Sequence, residues 1–451
     1  MKNEELRMKN EHLPMKYLAI LKDSLREALD STVLYVMLGL STLVILFVAT
    51  LSFKPLAAEK TMAKLVDGTI GVLLDAQKPE KMTPERLEKL KGQIGVYKLS
   101  KVEVVKGEAD SPDSDYRLTI SLQFPDRDKA AESRQDPGEA VEKIKEQFAN
   151  AVEVGLIKIG DVHLTSEQED PTHVYFEVAT QPTLGTRRIW YTEPSLFFGA
   201  IPLGDVEMPL GMQLFVLTSV VISLGSWVVI LAGVIISSFF IPNMLRKGTV
   251  DLLVVKPIHR WALLIYKYIG GLTFIFINNA YAILGIWLVL GLRSGIWANW
   301  FLLLIFVLTF FFAILYAVST FMAVMTRSAV TAILVTIGAW FIFFLVGTAN
   351  QFFENHKRVE EAKNLPAEKR DWTNNVFGKV VSAVHTVLPR TSDLGQLGNL
   401  LILSDFMTGS WSEARKLDSS NIDWGESLLV SGLFIAVFLG LSCWWFSTKD
   451  Y

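Results

Sequence analysis

The chain has 451 residues, 51% of them hydrophobic and 20% charged, with a net charge of −3 and a mean hydropathy of +0.35. It is too apolar for an ordinary soluble enzyme and too charged for a bundle lying wholly in lipid, so a polytopic membrane protein with a sizeable water-exposed part is expected. The balance of charge gives no sign of a nucleic-acid partner, and the single cysteine, Cys443, excludes an internal disulfide and a cysteine-rich metal site.

Residues 1–32 read as a polar arm and an amphipathic helix. Leu18, Leu21, Leu25 and Leu29 recur at helical steps, with Lys22, Asp23, Arg26 and Glu27 on the other face, a pattern suited to lying in a membrane interface. About thirty mixed-charge residues precede the first apolar run, which is not a signal-peptide pattern. The first span is expected at residues 33–53, close to the twenty apolar residues a bilayer needs.

Residues 54–208 form a long polar segment. Its start, through Leu74, has helical spacing and reads as a stalk continuing the first span. Strand patterns follow at Lys98–Val105, Tyr116–Phe124, Ile157–Thr165, His173–Thr180 and Thr186–Tyr191, with a helical pattern at Gly138–Val154. The order predicts an α+β domain with one helix on an antiparallel sheet. Asp126–Pro137 reads as an exposed charged connection. His163 and His173 fall on neighbouring predicted strands, either as a metal pair or, more plainly, as solvated strand histidines.

Four spans are expected within residues 209–348: Leu214–Ile241, Ala262–Leu292, Phe301–Met325 and Ala329–Thr348. Residues 349–425 carry a charged helix at Phe352–Lys363 and an amphipathic one at Val376–Leu388, stopped by Pro389. Residues 426–451 hold the sixth span, Ser427–Phe446, and a short tail. Lysine and arginine cluster before the first span, after the second and after the fourth, which places both termini in the cytoplasm and 54–208 and 349–425 outside it.

With the core of the third span placed nearer Tyr268–Leu290, the span cores carry no Asp, Glu, Lys, Arg or His, although gradient-driven carriers use such groups for coupling. Energy for any transport is therefore expected to enter from outside the bilayer. Asn278, Asn279 and Tyr281 lie within the third span and read either as helix–helix glue or as lining of a substrate path. Gly432, Ala436 and Gly440 form a small-residue ridge on the last span, suited to close helix packing within one subunit or at a dimer seam.

The turn at 243–261 separates the second and third spans. Gly248 suits a helix end, Thr249 a cap, and Asp251 the first turn of a new helix. Pro257 stops that helix after about two turns. The product is a short apolar helix with basic ends, either a mere connection or a segment shaped for a partner's groove.

Gly248, Thr249, Asp251, Leu252, Leu253, Lys256, Pro257 and Arg260 together resemble the coupling segment of type-2 ABC transporter permeases. The run from Leu21 to Ser31 resembles the elbow helix of that family, and Val387-Leu388-Pro389 resembles its Leu-Pro stretch before the last span. The resemblance implies a membrane subunit of an ABC exporter in the inner (cytoplasmic) membrane, paired with a second permease copy and energised by a separate ATPase subunit at the turn. ATP and Mg would then belong to that partner, with no cofactor bound here. The chain has no Gly-x-x-x-x-Gly-Lys-[Ser/Thr] loop, His-Glu-x-x-His or Gly-x-Ser-x-Gly of its own. The large 54–208 segment lies outside the resemblance and leaves a second expectation open: a non-transporting anchor or signalling protein whose outer domain binds an extracytoplasmic protein or cargo.

Overall fold

The computed structural model describes residues 32–66, 96–124, 126–153, 156–165, 170–204, 207–239, 242, 259–362, 375–407 and 423–449. The predicted amphipathic helix with Leu18, Leu21 and Leu25 lies outside the described residues. So do all the predicted coupling residues except Arg260.

Helix α1, Thr32–Ala49, is uncharged and largely apolar. Strand β1, Ser52–Pro55, follows almost at once. The predicted stalk is thus interrupted at its start by a strand, and Pro55 gives the reason: it bars helical continuation and biases Lys54 toward extended backbone; helix resumes at 58–66, and 67–74 lie outside the described residues. β1 pairs antiparallel with β6, Tyr191–Leu196, placing Ser52 opposite Ser195 and Pro55 opposite Thr192. Strands β7, Ile201–Pro202, and β8, Met208–Pro209, also pair with β6. This small sheet joins the chain leaving α1 to the chain entering the next long helix.

Between β1 and β6 lies the α+β unit. A helical stretch at 58–66 comes first. Then come β2 (Val96–Lys106), β3 (Asp115–Gln123), α2 (Arg127–Gln135), α3 (Gly138–Glu153), β4 (Ile157–Leu164), β5 (His173–Pro182) and the short α4 (Thr186–Ile189). The strands form one antiparallel sheet in the order β2-β3-β5-β4. Tyr116, Leu118, Ile120 and Leu122 alternate along β3 and are buried with Val174, Phe176 and Val178 of β5, the period-2 pattern of a half-covered sheet. Ile144 and Phe148 of α3 join the same core.

Two sequence expectations are corrected here. Asp126–Pro137 is not a plain connection, because it contains α2. Its Ala, Glu, Lys, Arg and Gln residues are strong helix formers, but only Ala130 is buried, so no apolar period announces it. Arg134 pins the helix by donating from Nη2 to the carbonyls of Asp170 and His173, both at 2.7 Å. The run Thr186–Tyr191 is α4 followed by the start of β6, not a strand. In the sheet, His163 pairs with Glu177 and His173 with Gln123, so the two histidines do not face each other.

The long helices are α5 (Leu210–Ser237), α6 (Arg260–Ser294), α7 (Leu304–Thr326, entered by a 3-10 turn at Trp300–Leu303), α8 (Ala329–Ala362) and α11 (Trp424–Thr448). These five are long and apolar enough to cross a membrane. α1 is a shorter apolar helix beside them. α7 is the centre of the bundle: every residue from Phe312 to Thr320 is buried, as befits a helix apolar all round. α8 is one continuous helix of 34 residues, so the fifth span and the separate charged helix at Phe352–Lys363 are corrected to a single element that outruns a bilayer's thickness.

Helix α9, Val376–Val387, is capped by Asn375, whose side chain accepts from Gly378 N at 3.1 Å. It folds back along α8, with Phe353 and Phe377 rings 5.8 Å apart. After Pro389 the chain forms α10, Thr391–Phe406. Sequence pattern missed this helix, since Gly395 and Gly398 weaken it. Packing supplies what propensity does not: Leu394, Ile402 and Phe406 are each at most 3% exposed.

Candidate functional site

The bundle has two distinct ends. At one end α5 begins at Leu210, α6 finishes at Ser294, and the α+β unit is attached. At the other, α5 runs out toward residue 239, α6 starts at Arg260, α7 finishes at Thr326, and α11 finishes at Thr448. Arg260 Nη1 donates to the Lys449 carbonyl at 3.1 Å, so the start of α6 is tied to the end of α11. Arg327 stands beside this end in a left-handed conformation, φ 55°. The described residues that flank the predicted turn, at the end of α5 and from His259 on, therefore stand on the face opposite the α+β unit.

Through the middle, polar residues join helices. Ser41 Oγ on α1 donates to Asn278 Oδ1 on α6 at 3.1 Å. Thr42 and Tyr281 share a hydrogen bond of 2.8 Å between the same two helices. Asn279 Nδ2 donates to Thr309 Oγ1 on α7 at 3.2 Å. Asn278 is fully buried, and its Nδ2 has no hydrogen-bond partner. Each of the three predicted residues thus bridges two helices, and Asn279 has a second situation besides. It lines an apolar cavity of about 420 Å³, between α1, α5 and α6, whose walls include Ser41, Phe47, Val221, Leu224 and Ile286. That volume falls in the range of ligand pockets, with Asn279 and Ser41 as its polar points.

The small-residue ridge on α11 makes no close helix contact within the chain at its two glycines. A Cβ built on Gly432 or Gly440 meets nothing within 4 Å. Among the described residues, α11 contacts its neighbours through Ser431, Phe434 and Phe438. Trp287, near the domain-side end of α6, and Trp297, just past that end, hold their ring centroids 4.8 Å apart with the planes tilted by 57°.

The junction of bundle and α+β unit is the part sequence reading did not foresee. Trp190 is 1% exposed. Its Nε1 donates to the Leu56 carbonyl at 3.2 Å, and its own carbonyl accepts from Leu210 N at 2.8 Å. One residue thereby touches the chain leaving α1, the chain entering α5, and the core ring Tyr116, 5.7 Å away. On α4, Arg187 pairs with Asp113 of the β2–β3 loop, Nε to Oδ1 being 2.8 Å. Gly295, at φ +71°, lets this arginine pass: a Cβ there would lie 1.8 Å from Arg187 Nη1. Arg188 is pushed below its ordinary pKa by burial, with Asp405 of α10 opposing the shift. Gly211 completes the seam, since a Cβ there would lie 2.2 Å from the Phe406 carbonyl oxygen. The only sequence signal was a tryptophan beside two arginines in an apolar flank, which carries no period.

A family profile described as ABC-2 family transporter protein matches residues 18–451. The chain belongs to the ABC-2 transporter family. It is therefore an integral membrane protein and a membrane transport subunit, not the ATPase of its system. Membership implies a lipid bilayer around the long helices and a partnering ABC ATPase subunit. No individual curated protein matches the chain. For an ABC-2 permease, the match takes in the α+β unit together with the spans, and it begins inside the amphipathic run that carries Leu18, Leu21 and Leu25.

Proposed function

We propose that this chain is the permease of an ATP-driven exporter, working as a pair of copies with a separate ATPase docked on the 243–261 turn. Six helices cross the membrane in this reading: α1, α5, α6, α7, α8 and α11. Both termini and the turn are cytoplasmic, and the α+β unit lies on the far side. The observation that carries it is the gathering of Arg260, Arg327 and Lys449 on the face opposite that unit, because cytoplasmic ends of spans are rich in lysine and arginine. The helices α1, α5 and α7 contain no ionisable Asp, Glu, Lys, Arg or His, which suits a transporter driven by a partner rather than an ion gradient.

The proposed mechanism is a shift of population between two arrangements of the bundle. The ATPase can move the permease only by preferring one arrangement, and a preference of ~5.5 kcal/mol turns a 1:99 ratio into 99:1. α6 is the natural lever. It is unbroken for 35 residues, or about 50 Å at the usual helical rise, and it runs from the turn to the seam where Gly295 meets Arg187.

The test is to purify the tagged chain from native membranes and assay the eluate for ATPase activity, with Leu253→Asp alongside. A co-purifying ATPase that is lost in the variant is the expected result. An unchanged complex in Leu253→Asp would remove the turn as its docking point. A second reading, an anchor or signalling protein whose outer unit binds a partner, draws on the tight seam at Trp190, which would relay force. An eluate without ATPase would favour it.

A further inference from the structure

An apolar loop stands at the rim of the bundle on the side of the α+β unit. β6 ends at Leu196, β7 starts at Ile201, and the 3-10 turn Phe197–Gly199 connects them. Phe197 and Phe198 both take left-handed backbone, φ 51° and 60°, a region that bulky residues rarely enter. These residues are 53% and 68% exposed, and Ile201 and Leu203 beside them are exposed too. Strain and exposed apolar surface are each unfavourable in water, and here they coincide in one short loop. Such coincidences mark sites whose shape is held for a purpose.

The loop is pinned to the ends of two helices. Phe198 N donates to the Thr50 carbonyl at 2.7 Å, just past α1. The Arg293 guanidinium sits 4.7 Å from the Phe198 ring centroid, at the end of α6. The same guanidinium donates from Nε and Nη2 to the Ala49 carbonyl, at 3.2 and 3.0 Å. Ala49 and Arg293 are where apolar helices give way to polar chain, so with α1 and α6 crossing the membrane as proposed they stand at the height of the lipid head groups. Aromatic rings and a cation are the residue types favoured at that height.

The geometry points to a lipid-contacting wedge: Phe197, Phe198, Ile201 and Leu203 insert into the head-group and upper acyl region of the leaflet on the α+β side, with Arg293 at head-group level. The occupant of this surface is phospholipid. A protein partner would have no need of an apolar patch set level with the membrane boundary, whereas lipid is necessarily there. The left-handed pair leaves both phenylalanines exposed at the tip of the turn. Through β6 the wedge is joined to β1 and to the Trp190 seam, so leaflet and α+β unit are mechanically linked.

The test uses spin labels in proteoliposomes of phosphatidylcholine and phosphatidylglycerol. Phe198→Cys and Ile201→Cys are each made on a Cys443→Ala background, so that one thiol is labelled. Leu433→Cys on α11, exposed along a span, is the lipid reference. Asp161→Cys on β4, whose side chain is 89% exposed, is the aqueous reference. Collisions with oxygen and with an aqueous nickel chelate are compared. Both loop labels are expected to show an oxygen preference several-fold above Asp161→Cys and approaching Leu433→Cys. A chelate accessibility equal to that of Asp161→Cys would overturn the proposal. Shielding from both reagents would also overturn it, by showing the loop buried in a protein contact. Ile201→Cys leaves the two phenylalanines intact, so a local rearrangement caused by replacing Phe198 is recognised.

Discussion

The Asp405 carboxylate accepts the backbone N–H of Phe301 at 2.7 Å, across 104 positions of sequence. The contact closes the end of α10 onto the turn that enters α7, and both groups are buried. Replacing the carboxylate leaves a buried N–H without its acceptor, which costs roughly 1–3 kcal/mol. Asp405→Ala is expected to lower the apparent melting temperature in detergent. Asp405→Asn, which keeps an acceptor oxygen, is expected to lower it less. Equal losses in the two variants would mean that the hydrogen bond is not the source.

Trp190 should be the residue that welds the α+β unit to the bundle. Truncating a large buried aromatic costs roughly 3–5 kcal/mol, and here the loss falls on the seam. Trp190→Ala is expected to make the linkers around β1 and β6 sensitive to protease while the spans stay protected. Trp190→Phe removes mainly the donation to Leu56 O, a net contribution of about 1 kcal/mol. It is expected to keep the seam closed. Limited proteolysis of both variants in proteoliposomes reads this out.

Burial, first among several causes, gives His385 a pH signature. The residue is 9% exposed, and its Nε2 has no hydrogen-bond partner among the described residues. Desolvation holds its pKa below the ordinary 6.5; Asp393, Glu426 and Glu354 oppose the shift and Arg390 adds to it. The folded chain therefore binds this proton less readily than the unfolded chain. As pH falls through about 6.5 the unfolded state is protonated first, so stability is expected to fall until the folded-state value is passed. The apparent melting temperature of His385→Gln should decline less between neutral and mildly acidic pH than that of the natural chain. Parallel declines would assign the acid sensitivity to other groups.

The spans were legible because length and apolarity announce them whatever they pack against, and the ends of α6, α7 and α11 fall close to the expected positions. The sheet was legible from alternation on β3 and β5, where one face is covered. What escaped reading was held by tertiary contact. α2 has almost no apolar face, α10 carries glycines at 395 and 398, and β1 is only four residues paired with a strand 143 positions away. Such elements have no local period to betray them. The seam around Trp190 was hidden for the same reason, since its partners Leu56, Tyr116 and Leu210 are scattered along the chain. Asn278 and Asn279 stood out by chemistry, since amides in an apolar run need partners. Their separate surroundings could be known only from the packing.

Those surroundings give the two amides different expected behaviour. Asn278 is fully buried and takes one hydrogen bond from Ser41, while its Nδ2 goes unpartnered. Interhelical hydrogen bonds in membranes contribute only about 0.6–2 kcal/mol, and an apolar replacement also removes the unpartnered amide. Asn278→Leu should therefore change stability by less than about 1 kcal/mol and leave transport close to that of the natural chain. Asn279 instead borders the cavity near Ser41 and Val221. Asn279→Leu removes one of the few polar points on that wall and the donation to Thr309. If the cavity lies on the transport path, this variant should lose transport, or partner-ATPase stimulation, out of proportion to any loss of stability. Measured in the same proteoliposomes, a loss of function in Asn278→Leu larger than in Asn279→Leu would reverse the assignment and make Asn278 the functional amide. Parallel small losses in both would leave each as a tie between helices, with the cavity a packing gap.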